Sequence, residues 1–283
     1  MTYQQLLSIG QTTLREACVP ESDLDARLLL EYACEIDRST LLAHGDREAL
    51  PDKEALYREL LAKRSQRIPL QQLTGEQDFM GLRFAVNENV LIPRQDTEIL
   101  VEEVLRDLHG GCSILDLCTG SGCILISLLN YSNECHGVGV DLSGAALLVA
   151  KENAKRLIPE EDCSFIEGDL FEKVEGRFDI LTSNPPYIPS RVVDGLMPEV
   201  RDHEPRMALD GREDGLHFYR RILKECPPYL HGGARIFLEI GYDQGEAVSK
   251  LMREAGFQEV HVVKDYAGLD RVVCGTYCPK DGL

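Results

Sequence analysis

From residue 113 onward, short apolar runs alternate with amphipathic stretches of helical length, and this alternation restricts the fold more than any other feature. The runs Ser113-Ile-Leu-Asp-Leu117, His136-Gly-Val-Gly-Val-Asp141, Ser164-Phe-Ile-Glu167, Phe178-Asp-Ile-Leu-Thr-Ser183 and Arg235-Ile-Phe-Leu-Glu-Ile240 read as strands. Helical patterns follow at 123–129, 145–157, 214–225 and 244–255. Apolar strands need cover on both faces, which helices in the connections supply. The expected fold is α/β, a doubly wound and mostly parallel Rossmann-like sheet. The last two runs, Glu259–Val263 and Arg271–Tyr277, have no helix between them. They predict an antiparallel edge.

Open sheets of this kind bind ligands beyond the carboxyl ends of their strands. The first strand runs into Cys118-Thr119-Gly120-Ser121-Gly122 and directly into a helix. A glycine turn there lets backbone N–H groups approach a ligand closely, and an acid ending the next strand can hold ribose hydroxyls. Asp141 is that acid; Asp116 precedes the turn, and Asp169-Leu170 follows the third strand. The glycine spacing is not the Gly-x-Gly-x-x-Gly of nicotinamide sites, and no Walker lysine follows. The pattern points to a different nucleoside cofactor.

The fourth strand ends at Asn184-Pro185-Pro186-Tyr187. Two prolines cannot continue a central strand, since each lacks the ladder N–H. The tetrapeptide must therefore lie just past the strand end. Asn184 offers a side-chain carbonyl and an NH2 group, and Pro185 holds a second carbonyl on a stiff backbone. Two acceptors converging on one point suit a planar NH2 group, and Tyr187 offers a wall for a flat ligand. Alone, the tetrapeptide reads equally well as a proline-rich loop with a structural Asn. The glycine turn upstream favours a site.

Charge narrows the partners. The chain has 48 acids against 30 Lys and Arg, a net charge of −18 over 283 residues. Backbone contact with nucleic acid depends on basic residues, so free nucleic acid is disfavoured and a protein with a basic face is expected. Ten cysteines occur without a Cys-x-x-Cys pair, so reduced thiols and no metal site are expected. No apolar run approaches the ~18 residues that span a bilayer. The start, Met1-Thr-Tyr-Gln-Gln, has no basic region leading into an apolar core. The cytoplasm is the expected compartment, with no membrane contact.

Ahead of the alternating region, residues 1–74 read as a small helical domain that could receive a substrate or merely stabilise. Residues 75–92 read as a β-hairpin linker, and 93–283 as the ligand-binding domain. Ile92-Pro-Arg94-Gln-Asp-Thr-Glu98 opens a helix, and Arg94 and Glu98 in its first turn are candidate substrate contacts.

Across nearly its whole length the chain resembles the HemK/PrmC family of peptide-chain release factor glutamine N5-methyltransferases. Gly75-Glu-x-x-Phe79, Ile92-Pro-Arg-x-Asp-Thr-Glu98, Asp116-Leu-x-Thr-Gly-Ser-Gly122, Asn184-Pro-Pro-Tyr-Ile188, Glu204-Pro-Arg-x-Ala-Leu-Asp-Gly211 and Asp270-Arg-Val-Val273 carry the likeness. The turn is similar to the first motif of class I S-adenosylmethionine methyltransferases, with Cys118 where a glycine is usual; Gln95 stands where the family usually has proline. The resemblance implies S-adenosyl-L-methionine as cofactor, held by Asp116, Cys118, Thr119, Gly120, Ser121, Gly122, Asp141, Asp169, Leu170 and Asn184. It implies as substrate the Gln of the Gly-Gly-Gln motif in release factors, held at Asn184, Pro185, Pro186 and Tyr187, and a monomeric enzyme. Three alternatives stay open at this point: a ribosomal-protein glutamine methyltransferase, an RNA or DNA amine methyltransferase, and a cofactor-binding regulator without catalysis.

Overall fold

The computed structural model describes residues 1–159 and 162–279. They form two compact units, Met1–Glu76 with Met197–His203, and Gln77–Leu196 with the chain from Glu204 onward.

The first unit is helical: α1 (Tyr3–Glu16), α2 (Ser22–Cys34), α3 (Arg38–Ala43), α4 (Pro51–Ser65) and α5 (Leu70–Thr74). Thr2 and Gln5 start α1 by reciprocal capping, each side chain accepting from the other's backbone N–H. Proline opens α4, where its missing N–H costs nothing. Leu6, Leu14, Leu29, Leu30, Leu60 and Tyr57 fill the core. Gly10 is required there, because a Cβ would meet the Tyr57 hydroxyl at 1.9 Å.

The same unit encloses the late segment Met197–His203, for which the sequence carries no local signal. Glu199 is its anchor. Arg64 Nη2 donates to Glu199 Oε1 at 3.0 Å, and Arg67 donates to both Glu199 oxygens at 2.7 and 2.6 Å. Arg64 Nε also reaches Asp25 Oδ2 at 2.8 Å, so the buried charges are mutually compensated.

The second unit opens with a short hairpin, β1 (Glu76–Phe79) and β2 (Leu82–Ala85). The hairpin ends sooner than the sequence suggests. Residues 87–92 form a loop, as Asn87 Oδ1 accepts from Asn89 N–H and turns the chain. Helix α6 (Gln95–Asp107) follows. Then come β3 (Ser113–Leu117), α7 (Cys123–Asn130), β4 (His136–Asp141), α8 (Gly144–Leu157), β5 (Cys163–Glu167), β6 (Phe178–Ser183), β7 (Leu230–Glu239), β8 (Phe257–Lys264) and β9 (Asp270–Tyr277). Helices His217–Glu225 and Gly245–Glu254 flank β7 in sequence.

The sheet order is β5-β4-β3-β6-β7-β9-β8. The strands from β5 to β7 are parallel, and β9 runs antiparallel to both its neighbours. The antiparallel strand is thus one place in from the edge, with β8 outermost. β3 is buried along its whole length, as a central strand with two covered faces must be. Between β6 and helix His217–Glu225, the charged stretch forms only single helical turns, Ser190–Val193 and Arg206–Leu209 in this unit.

Candidate active site

The register sets the geometry. β3 and β6 are neighbours, with Leu117 opposite Ser183, and Ser183 Oγ donates to Leu117 O at 2.8 Å. The turn after β3 and the tetrapeptide after β6 therefore leave adjacent strand ends, where the sheet order reverses. Between them lies a cavity of about 400 Å³.

Cys118, Thr119, Gly120 and Ser121 line this cavity. Cys118 has a φ of 58° and Gly120 of 56°, so the turn needs left-handed backbone twice. That conformation suits glycine, so the Cys118 side chain is carried on strained backbone. Gly120 has no atom within 4 Å of where a Cβ would sit, so its backbone is open. Gly122 does not line the cavity. With φ of 79° it caps α7, where a Cβ would lie 2.8 Å from Ile126 Cδ1.

Asp141 fixes the turn as well as facing the cavity. Its Oδ2 accepts from Gly120 N at 2.8 Å and its Oδ1 from Ser143 N at 2.9 Å. Burial raises its pKa, against the pull of those N–H donors. Asp116 sits beneath the turn, fully buried and off the cavity wall. Thr182 Oγ1 donates to its Oδ1 at 2.8 Å, while burial pushes its pKa up to about 7. Asp116 Oδ2, Thr119 Oγ1 and Ser121 Oγ are buried without a hydrogen-bond partner. Unsatisfied polar atoms are rare in folded proteins. Two of these three belong to cavity-lining residues, as expected where a polar ligand completes the bonding.

At the far end, Gly168, Asp169 and Leu170 line the cavity. The Asp169 carboxylate is engaged by Arg221 Nη1 at 2.8 and 3.0 Å. Leu142, directly after Asp141, also faces the cavity and is 59% exposed.

On the β6 side, Asn184 and Pro186 line the cavity. Asn184 Nδ2 donates to Thr97 Oγ1 at 3.3 Å. The tetrapeptide is braced by the segment 204–211: Ile188 N donates to Leu209 O at 3.0 Å, and Gly211 N to Ile188 O at 2.8 Å. Gln244 Nε2 donates to Tyr187 O at 3.0 Å.

Besides Asp116 and Gly122, which stand off the cavity, three further expected contacts are corrected. Tyr187 is not a cavity wall; it turns inward, and its Oη donates to Glu239 Oε1 at 3.3 Å. A half-buried phenol turned into the protein favours such a partner. Glu98 likewise stands off the cavity, since its Oε1 accepts from Met80 N at 2.7 Å. Arg94 does line the cavity, but its Nη2 is held by both oxygens of Glu204 at 2.7 Å. Pro185 is buried and is not on the cavity wall.

Sequence reading missed several lining residues, among them Asn89–Leu91, Thr97, Leu142, Met207 and Phe218. Leu142 carried a usable signal: an apolar side chain immediately after the acid that ends a strand. The others reach the cavity only through tertiary packing.

Fold, strand order and turn geometry define a Rossmann-like methyltransferase. Residues 94–197 match the methyltransferase small domain, and residues 5–75 match the PrmC N-terminal domain. A methyltransferase structure from Pyrococcus furiosus superposes with a TM-score of 0.52 at 17% identity, covering 70% of this chain and 90% of that one, which supports the fold. The chain belongs to the release factor glutamine methyltransferase family. It is 41% identical to the release factor glutamine methyltransferase of Geobacter sulfurreducens, over 97% of this chain and 96% of that protein. It is 40% identical to the one from Caulobacter vibrioides, over 99% and 98%.

Proposed function

We infer that this enzyme transfers a methyl group to the side-chain amide nitrogen of a glutamine in peptide-chain release factors, within the Gly-Gly-Gln motif. The observation that carries the chemistry is the pairing of β3 with β6, which opens the glycine turn and Asn184 onto one cavity. The full-length family relationship supports the acceptor.

The cavity suits S-adenosyl-L-methionine, because Gly120 leaves open space beside its backbone and the buried hydroxyls of Thr119 and Ser121 have no hydrogen-bond partner. We assign Cys118, Thr119, Gly120 and Ser121 to the methionine portion and Asp141 to the ribose. Gly168, Asp169 and Leu170 take the adenine end, with Asp116 and Gly122 supporting the turn from behind. When bound, the cofactor supplies an electrophilic methyl group on a sulfonium.

An amide nitrogen is a poor nucleophile because its lone pair is delocalised. Asn184 Oδ1, on the cavity wall, accepts an amide hydrogen of the substrate and orients the nitrogen. Holding reactants in this way supplies rate through orientation and electrostatics, without a dedicated base. The proton leaves after transfer. The acidic surface favours docking of a basic protein face, so association should weaken as salt rises.

The test is incubation with labelled S-adenosylmethionine and separated translation factors, followed by mapping of the labelled residue. Label on the motif glutamine is expected. Efficient labelling of free nucleic acid while intact release factor stays unlabelled would refute the assignment.

A further inference from the structure

At the antiparallel edge of the sheet, three metal-ligating side chains meet from three separate elements. Glu103 comes from α6, His261 from β8 and Cys274 from β9. A carboxylate oxygen, a ring nitrogen and the thiol sulfur all lie within 4.8 Å of one another. None of the three lines the cavity.

An irregularity in strand pairing produces this meeting. Gln258 pairs with Thr276 and His261 with Cys274, so three steps along β8 match two along β9. The extra residue makes a bulge, and Glu259 within it has left-handed backbone with a φ of 53°. In a regular ladder residue 260 would oppose Cys274, and His261 would point to the other face. With the bulge, His261 stands opposite Cys274, on the face whose core includes Val101 and Val104 of α6.

The ligand atoms are also oriented. The Glu259 carbonyl, inside the bulge, lies 2.9 Å from His261 Nδ1. A carbonyl only accepts, so Nδ1 carries the hydrogen and Nε2 of the neutral ring keeps its lone pair. Nε2 stands 3.8 Å from Glu103 Oε1, too far for a hydrogen bond. Arg106 donates to the other Glu103 oxygen, Oε2, which fixes the carboxylate. Two acceptors thus face each other beside a sulfur. Cys274 is fully buried, whereas the His261 side chain is 47% exposed, so an ion can enter past the imidazole.

Imidazole, carboxylate and thiol form a mixed set that suits zinc, which binds N, O and S at about 2.0–2.3 Å in tetrahedral geometry. Ligand atoms at those lengths are about 3.3–3.6 Å apart, so small side-chain rotations bring these three into place. We propose that Glu103, His261 and Cys274 form a mononuclear zinc site that ties α6 to the β8–β9 edge, with water as fourth ligand. Burial, and then the Glu103 charge, push the Cys274 thiol pKa up; coordination displaces that proton. The missing Cys-x-x-Cys pair excluded only a site built from sequence neighbours. Here a bulge and helix packing assemble ligands from distant positions, independently of the methyl-transfer reading.

The test uses the full-length chain, stripped with a chelator and titrated with zinc chloride alone by calorimetry. One equivalent should bind with a dissociation constant of about 1 µM or below. His261→Ala, at a half-exposed side chain, should weaken binding about tenfold or more, as should Glu103→Gln. Cobalt chloride in place of zinc should give thiolate-to-metal charge-transfer absorption that Cys274→Ala abolishes. Zinc should raise the melting temperature of the wild type by a few degrees and leave that of His261→Ala unmoved. Absence of binding to the wild type at one equivalent would overturn the site. Wild-type affinity in His261→Ala would overturn it too, placing the metal on other thiols such as the exposed Cys18. If Cys274→Ala does not fold, the His261→Ala titration decides.

Discussion

The two strand ends that form the cavity are built on opposite principles. After β3, the chain itself makes the ligand surface: left-handed backbone at Cys118 and Gly120, with the Gly120 N–H drawn to Asp141. After β6, the prolines stiffen the backbone, and the side chain that meets the ligand is steadied by residues distant in sequence. Thr97 bonds Asn184, Glu239 bonds Tyr187, and Gln244 bonds the Tyr187 carbonyl. On the function proposed above, the cofactor would be met by local backbone, whereas the acceptor amide would be met by a side chain that residues distant in sequence hold in place.

The sharpest way to separate the two ends is Asn184→Ala. Transfer should fall about 100-fold or more, the scale of losing one oriented hydrogen bond to reacting atoms. Cofactor affinity and melting temperature should stay near wild type; single-turnover rates with parallel calorimetry decide, and a near-normal rate would remove Asn184 from the mechanism. Asp141→Ala should do the reverse, weakening cofactor binding by ~1–3 kcal/mol through unpaired buried groups. Asp141→Asn, which keeps one acceptor, should lose less. Unchanged calorimetric affinity in a folded Asp141→Ala protein would dissolve the contrast.

Smaller effects probe the scaffolds. Gly215 has a φ of 75°, and a Cβ there would lie 2.3 Å from the Tyr187 carbonyl oxygen. Gly215→Ala should cost about 1–3 kcal/mol of stability from backbone strain and displacement of the tetrapeptide. Denaturant unfolding reads the loss, and an unchanged midpoint would show that the loop after β6 yields more easily than its bonding suggests. Cys118→Gly should have the least effect: relief of left-handed strain of ~1 kcal/mol or less, partly offset by a freer unfolded chain. A marked loss of cofactor affinity in that variant would assign the thiol itself a binding role.

The contrast also explains what the sequence could reveal. The strand–helix alternation exposed the sheet because period and length are local properties, and the turn after β3 was legible because its glycines and acids lie within one βαβ stretch. Asn184 was legible from its prolines. Glu239 was not, since one acid at the end of an apolar strand looks like a surface exit; only the register with β6 brings it to the Tyr187 hydroxyl. Thr97 read as an ordinary first-turn residue for the same reason. Tyr187 and Glu98 were given ligand roles because their chemistry suited them, yet each has a nearer protein partner. The short helical turns at 190–193 and 206–209 had no periodicity long enough to detect.

The path of Met197–His203 bears on how this enzyme could be cut or trimmed. The polypeptide passes between the two units at three places, after Glu76, after Leu196 and after His203. A single nick after Glu76 would leave fragments still interlocked by Glu199 and its two arginines. Deleting the first 76 residues would strip both guanidinium partners from that carboxylate and leave seven residues without the surroundings in which they fold. The helical unit is therefore not a removable appendage, and a minimal catalytic fragment would need a new closure between Leu196 and Glu204.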